Sequence, residues 1–114
     1  MSQPIHLFVY DNAGPGADAA QEKVRDATVQ GTIFDVDGVG RALMLAGASA
    51  VRGEVRRARA DSLTLLDARA RVREGLFRRV GVRVGDTPCW TWVAGPALAP
   101  RLAASRRSRG ADAA

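Results

Sequence analysis

Hydrophobic and polar positions change period several times along the chain, and each change marks the edge of a short element. Pro4-Ile5-His6-Leu7-Phe8-Val9-Tyr10 alternates as a strand does, with Ile5, Leu7 and Val9 on one face and His6, Phe8 and Tyr10 on the other. Both faces carry large apolar groups, which predicts a central strand rather than an edge. The turn-formers Asp11-Asn12-Ala13-Gly14-Pro15-Gly16 end it, and Asp18 is placed to cap a short helix through Glu22 or Lys23. Strand signals resume from Ala27 to Val36 and break at Asp37-Gly38; a third strand is expected near Arg41 to Leu45 and a fourth over Ala50 to Arg57.

The period then lengthens. Leu63, Leu66 and Ala70, with Leu65 and Val72, recur at helical spacing between Asp61 and Arg73, with Asp61 or Ser62 as N-cap and Gly75 as the stop. Two more strands are expected, Leu76 to Val84 and Pro88 to Ala94, around a Gly85-Asp86-Thr87-Pro88 turn, before a last helical turn or two from Leu98 to Ala104. Many short strands and few helices predict an α+β fold built on a small curled mixed or antiparallel sheet or barrel.

Length and charge narrow the picture. A chain of 114 residues, 46% hydrophobic and 25% charged, fits one folded domain, assigned to residues 1–100, followed by a basic, disordered tail over 101–114. The formal net charge of +5 sits largely in that tail, where four arginines face Asp112. Arginine replaces lysine almost throughout, a compositional bias, so nucleic acid ranks last among the expected partners. The apolar run Ile5 to Tyr10 is too short for a signal core or a membrane span, and no membrane partner is expected. Cys89 is the only cysteine, which excludes an internal disulfide and a cysteine-rich metal site and fits a reducing cytoplasm. No metal, nucleotide or phosphate-loop signature is present, and no cofactor is expected.

Four segments, in order, resemble the γ-glutamylcyclotransferase-like (AIG2-like) family. Leu7-Phe8-Val9-Tyr10 with the loop to Gly16 resembles its first strand and Tyr-Gly-Thr-Leu loop. Val29-Gln30-Gly31-Thr32-Ile33-Phe34-Asp35, running on to Ala42-Leu43, resembles its second strand and Pro-Ala-Leu segment; Val51-Arg52-Gly53-Glu54-Val55 resembles a Val-x-Gly-Glu-Val strand. Leu65-Leu66-Asp67 with Phe77-Arg78-Arg79 is similar to a Leu-Asp helix end followed by Tyr-Arg-Arg. The resemblance implies a loop whose backbone N–H groups hold a substrate oxygen. It also implies release of 5-oxoproline from γ-glutamyl amines, with a glutamate in a Leu-Asp-x-x-Glu-Gly pattern moving the proton.

Three residues after Asp67 stands Ala70, which accepts no proton, and the loop reads Asp11-Asn12-Ala13 in place of Gly-Thr-Leu. Glu74, one helical turn on, is a candidate to reach back if the helix continues, or a surface charge beside Arg73 and Arg78. Asp11 is a candidate base or substrate-orienting group, or the closer of an Asx turn. Tyr10, Asp11, Asn12, Ala13 and Gly14 form the expected substrate-binding loop, with a core tyrosine and local turn formation as the plainer readings of Tyr10 and Asn12. A carboxylate facing the pocket at Asp11 would favour a neutral or cationic ligand. His6 and Cys89 read as structural, and one or both of Trp90 and Trp92 as core. The expected function is a divergent intramolecular cyclase or acyl transferase acting on a small amine- or carbonyl-containing molecule, suited to specialised biosynthesis. The alternative is a non-catalytic small-molecule-binding or interaction protein that keeps the pocket, and a homo-oligomer is left open.

Overall fold

The computed structural model of the chain describes residues 3–102. Among these residues five strands, β1 (Pro4–Val9), β2 (Glu22–Val36), β3 (Gly40–Arg59), β4 (Phe77–Val84) and β5 (Thr87–Ala94), form one mixed sheet in the order β2-β3-β1-β5-β4, and the α-helix α1 (Leu63–Arg69) lies between β3 and β4. This is the expected α+β architecture, with β1 at the centre. Leu7 and Val9 enter one buried cluster with Phe34, Leu66, Phe77, Trp92 and Leu98, while Phe8 and Tyr10 enter a second with Val29, Leu43, Val55 and Val93. Each face of β1 is thus core.

The curl comes from β3. Its second half pairs antiparallel with β1, from Val9↔Glu54 to Pro4↔Arg59, and its first half reaches β5 beyond the end of β1, at Leu43↔Val93. Gly53 makes the crossing feasible: a Cβ there would lie 2.6 Å from the Val9 carbonyl and 2.7 Å from the Phe8 ring. The parallel β1–β5 seam has one ladder pair, Leu7↔Trp90. Side chains fasten the rest of it: Thr91 Oγ1 donates to the Phe8 carbonyl (2.8 Å) and the Tyr10 hydroxyl to the Trp92 carbonyl (2.8 Å).

Three expectations about elements need correction. The third and fourth strands are one strand, because β3 pairs with β2 on both sides of a bulge in which Leu45 to Ala48 loop out between Thr32↔Met44 and Gly31↔Ser49. The helix expected after Asp18 is an Asx turn. Asp18 accepts from the Ala20 N–H through its side chain (3.0 Å) and from Gln21 through its carbonyl (3.1 Å), and β2 begins at once with Glu22. The main helix stops at Arg69 rather than at Gly75. Arg71 adopts φ +54°, Val72 N–H bonds to Asp67 O and Arg71 N–H to Ala68 O, the paired closure of a Schellman motif. The expected Gly85-Asp86-Thr87-Pro88 turn is present in shorter form: Gly85, at φ +60°, and Asp86 make a two-residue hairpin, and Thr87 and Pro88 already pair in β5.

At the C-terminal end a helical turn over 99–102 buries Leu98 and Leu102 against α1 and Phe77. The rest of the basic tail lies outside the described residues. Among those residues no helix is long and apolar enough to cross a membrane.

Candidate functional site

The loop after β1 and the end of α1 come together around a cleft of about 370 Å3. One wall is the loop from Asn12 to Ala17; the other is Leu66, Arg69, Ala70 and Arg71, with Val39, Leu76 and Phe77 closing the sides. These are the two segments that the sequence singled out, and Ala70 lies at their junction, only 3% exposed.

The loop is braced from within and from behind. Asp11 accepts the Ala13 N–H on its side chain (3.1 Å) and the Gly14 N–H on its carbonyl (2.9 Å), and Gly14 in turn accepts from Ala17 (3.3 Å). Arg56, nearly buried on β3, donates to the Asn12 side-chain carbonyl and to Gln21 Oε1 (3.3 Å), while Gln21 donates to the Gly16 carbonyl (2.6 Å). Gly16, at φ +83°, sits directly on the buried Trp92 ring, where a Cβ would collide with Cε3 and Cζ3. The Ala13 and Gly14 N–H groups are therefore taken up by Asp11. Gly16, which is buried and also lines the cleft, has an N–H with no acceptor among the described residues.

Asp67 anchors the opposite wall. Its carboxylate accepts Arg79 Nε on both oxygens (3.0 and 3.2 Å) and Trp92 Nε1 on Oδ1 (2.9 Å), so α1 is clamped to β4 and β5. Arg79 also lies over the half-exposed Trp90 ring, 4.5 Å from its centre. Of the two tryptophans, Trp92 is core and Trp90 is a surface platform for this cation.

The expected site residues separate. Asn12, Ala13 and Gly14 line the cleft. Tyr10 lies in the second cluster behind the loop, 6% exposed, where its hydroxyl donates to Trp92 O and accepts the Leu43 N–H (3.3 Å). Burial pushes its phenol well above the ordinary value, with the Leu43 hydrogen bond pulling the other way by less and Asp11 adding to the rise. Asp11 closes the Asx turn and borders a separate shallow hollow with Asp26, Arg52 and Glu54. Glu74 stands exposed on the turn after Arg71; the left-handed residue redirects the chain, so Glu74 is not one helical turn above Ala70. None of the described residues lining the cleft is Asp, Glu, His or Cys.

The charged lining groups are Arg69 and Arg71. Arg69 is paired with Asp18 (3.1 Å), whose carboxyl is held below its usual range first by the Ala20 N–H and then by Arg69. The exposed Arg71 side chain has no hydrogen-bond or ion-pair partner among the described residues, and Arg71 is the one non-glycine residue there with positive φ. The sequence reading passed over it, although a signal was present: in the Leu-Asp-x-x-Glu-Gly pattern the position after Glu is glycine, the residue suited to a left-handed helix stop. The charge expected from Asp11 is thus replaced by the opposite sign.

A larger hollow, about 590 Å3, lies between the start of β1 and the β4–β5 hairpin and includes His6, Cys89 and Trp90. Burial pushes the Cys89 thiol up, against a smaller opposing pull from Arg25. It is protonated at neutral pH and a poor nucleophile. No described group of three or more His, Cys, Asp or Glu is arranged to hold a metal ion. The smaller cleft is the better candidate site because it joins a braced loop, an unpartnered buried N–H and an unpartnered cation.

No protein-family profile matches the chain, and no curated protein matches it in sequence. Solved structures do resemble it. A γ-glutamyl cyclotransferase superposes with a TM-score of 0.61 at 15% identity, covering 81% of this chain and 67% of its own. An uncharacterized protein from Homo sapiens superposes with a TM-score of 0.64 at 15% identity, covering 80% of this chain and 66% of its own. The chain spans about two thirds of the length of either protein, and the likeness establishes a γ-glutamyl-cyclotransferase-like fold.

Proposed function

We propose that this protein binds a small molecule in the cleft between the Asn12–Ala17 loop and the end of α1, without the proton-transfer step of a cyclotransferase. The observation that carries the reading is the placement of three residues. Ala70, which by the count from Asp67 stands at the glutamate of the resembled Leu-Asp-x-x-Glu-Gly pattern, lines the cleft, while Asp11 is engaged in its own turn and Glu74 is exposed. General acid–base catalysis is worth about 10²–10⁴ in rate, or roughly 3–5 kcal/mol of barrier, so a cleft without such a group retains recognition and loses turnover. Uptake of the Ala13 and Gly14 N–H groups within the loop weakens an oxyanion role in the same direction.

A divergent cyclase or acyl transferase is the second reading, favoured by the structural likeness to a solved γ-glutamyl cyclotransferase. It requires Asp11 or Glu74 to leave its present position and take a proton from the substrate amine. Titrating a γ-glutamyl amine into isotopically labelled protein while following backbone amide resonances tests the site itself. Shifts concentrated at Ala13, Gly14, Gly16 and Ala70 are expected. Shifts confined to His6, Cys89 and Trp90 would move the site to the larger hollow and overturn the assignment.

A further inference from the structure

Two adjacent positions of the cleft change its charge together. Where the Leu-Asp-x-x-Glu-Gly pattern has an acid and a glycine, this chain has Ala70 and Arg71, so one negative charge is removed and one positive charge is added at the same wall. Arginine is an unfavourable choice for the second position on conformational grounds. A left-handed backbone is sterically unfavourable for an L-residue, and glycine closes the same helix end without that cost. A non-glycine residue held in this conformation beside a cleft points to a role for its side chain. Arg69 does not duplicate that role, because Asp18 neutralises it.

Resting on the reading that the cleft is a small-molecule site, we infer that it selects an anionic ligand, with the Arg71 guanidinium and the unpartnered Gly16 N–H as the groups that receive a carboxylate or phosphate oxygen. Guanidinium supplies paired donors to either oxyanion, and a backbone N–H on the facing wall completes the contact from the other side. The neutral or cationic ligand that a pocket-facing Asp11 would have favoured does not fit this wall.

The test compares glutarate, inorganic phosphate and the neutral diamide glutaramide as probes of the full chain, with amide shifts of Gly16 and residue 71 as the readout. The wild-type protein is expected to bind at least one anion at these residues, more weakly as salt rises, and glutaramide at least about tenfold more weakly. Response to glutarate alone identifies a carboxylate site and response to phosphate alone a phosphate site. Arg71→Gly relieves the left-handed residue and should melt no lower than wild type, yet lose about tenfold to a hundredfold in anion affinity; Arg71→Lys, which keeps the charge, should retain binding. Equal affinity for glutaramide and glutarate, unchanged in Arg71→Gly, would overturn the anion assignment and leave the cleft as a binding site. No cleft shift with any of these probes or with the γ-glutamyl amine would overturn both.

Discussion

Tyr10→Phe removes a single oxygen from the place where β1 ends and β3 meets β5. The hydroxyl is buried, donates to Trp92 O at 2.8 Å and accepts the Leu43 N–H at 3.3 Å, so its loss leaves a carbonyl and an amide short of a partner in the interior. A buried group left unsatisfied costs about 1–3 kcal/mol. The Leu43 contact is long, so the sum is placed at about 2–3 kcal/mol, a fall in Tm of roughly 10–20 °C for a domain of this size. Urea unfolding should show a lower midpoint with an unchanged slope, since the surface exposed on unfolding is the same. A second readout follows from the raised phenol. The folded state holds the proton more tightly than the unfolded chain, whose value is near 10.0, so the stabilisation is complete below pH 10 and is lost as pH rises through the folded value. Above pH 10 the wild-type protein should lose about 1.4 kcal/mol of stability per pH unit from this group, and Tyr10→Phe should lack that component. Tyr10 is the only tyrosine, so tyrosinate absorbance reports it alone. A cost below about 0.5 kcal/mol, or tyrosinate appearing near pH 10 in the folded protein, would refute the bridging role and reopen Tyr10 as a pocket residue.

Two further outcomes follow from the same packing. Asp67→Ala strands the indole N–H of fully buried Trp92 and frees Arg79, at an expected cost of about 2–3 kcal/mol in urea unfolding; Asp67→Asn keeps an acceptor for Trp92 and for Arg79 and should cost about 1 kcal/mol, because the partly exposed ion pair contributes modestly. Gly16→Ala places a methyl against the Trp92 ring at positive φ and should destabilise by about 2–5 kcal/mol while moving the Gly16 and Ala70 resonances together, whereas an unperturbed variant would show that the loop is not seated on Trp92.

Local chemistry made part of this protein legible from its sequence. Two-sided apolar alternation identified β1 as central, and Gly85-Asp86 and Asp37-Gly38 marked turns that glycine φ values bear out at Gly85 and Gly38. The spacing of Leu63, Leu66 and Ala70 located the helix and its buried side. What was hidden depended on contacts far apart in the chain. Ala46-Gly47-Ala48 reads as a break between strands, but pairing with β2 on both sides carries β3 through it as a bulge. The roles of Tyr10 and Asp67 are set by Trp92, 82 and 25 residues away, which no local pattern reports. At the cleft, Ala70 was visible by counting from Asp67, and the same count puts Arg71 at the glycine of the pattern; its left-handed backbone adds that the arginine stands where a glycine would close the helix more easily.

The proposed function is ligand binding in a cleft with no Asp, Glu, His or Cys among its described lining residues. Release of 5-oxoproline from a γ-glutamyl amine, followed at high enzyme concentration for the wild-type protein and for Asp11→Asn and Glu74→Gln, tests it most directly. No product above background is expected from any of the three, with the γ-glutamyl amine still bound at Gly16 and Ala70; wild-type turnover abolished by either substitution would contradict the binding-only reading.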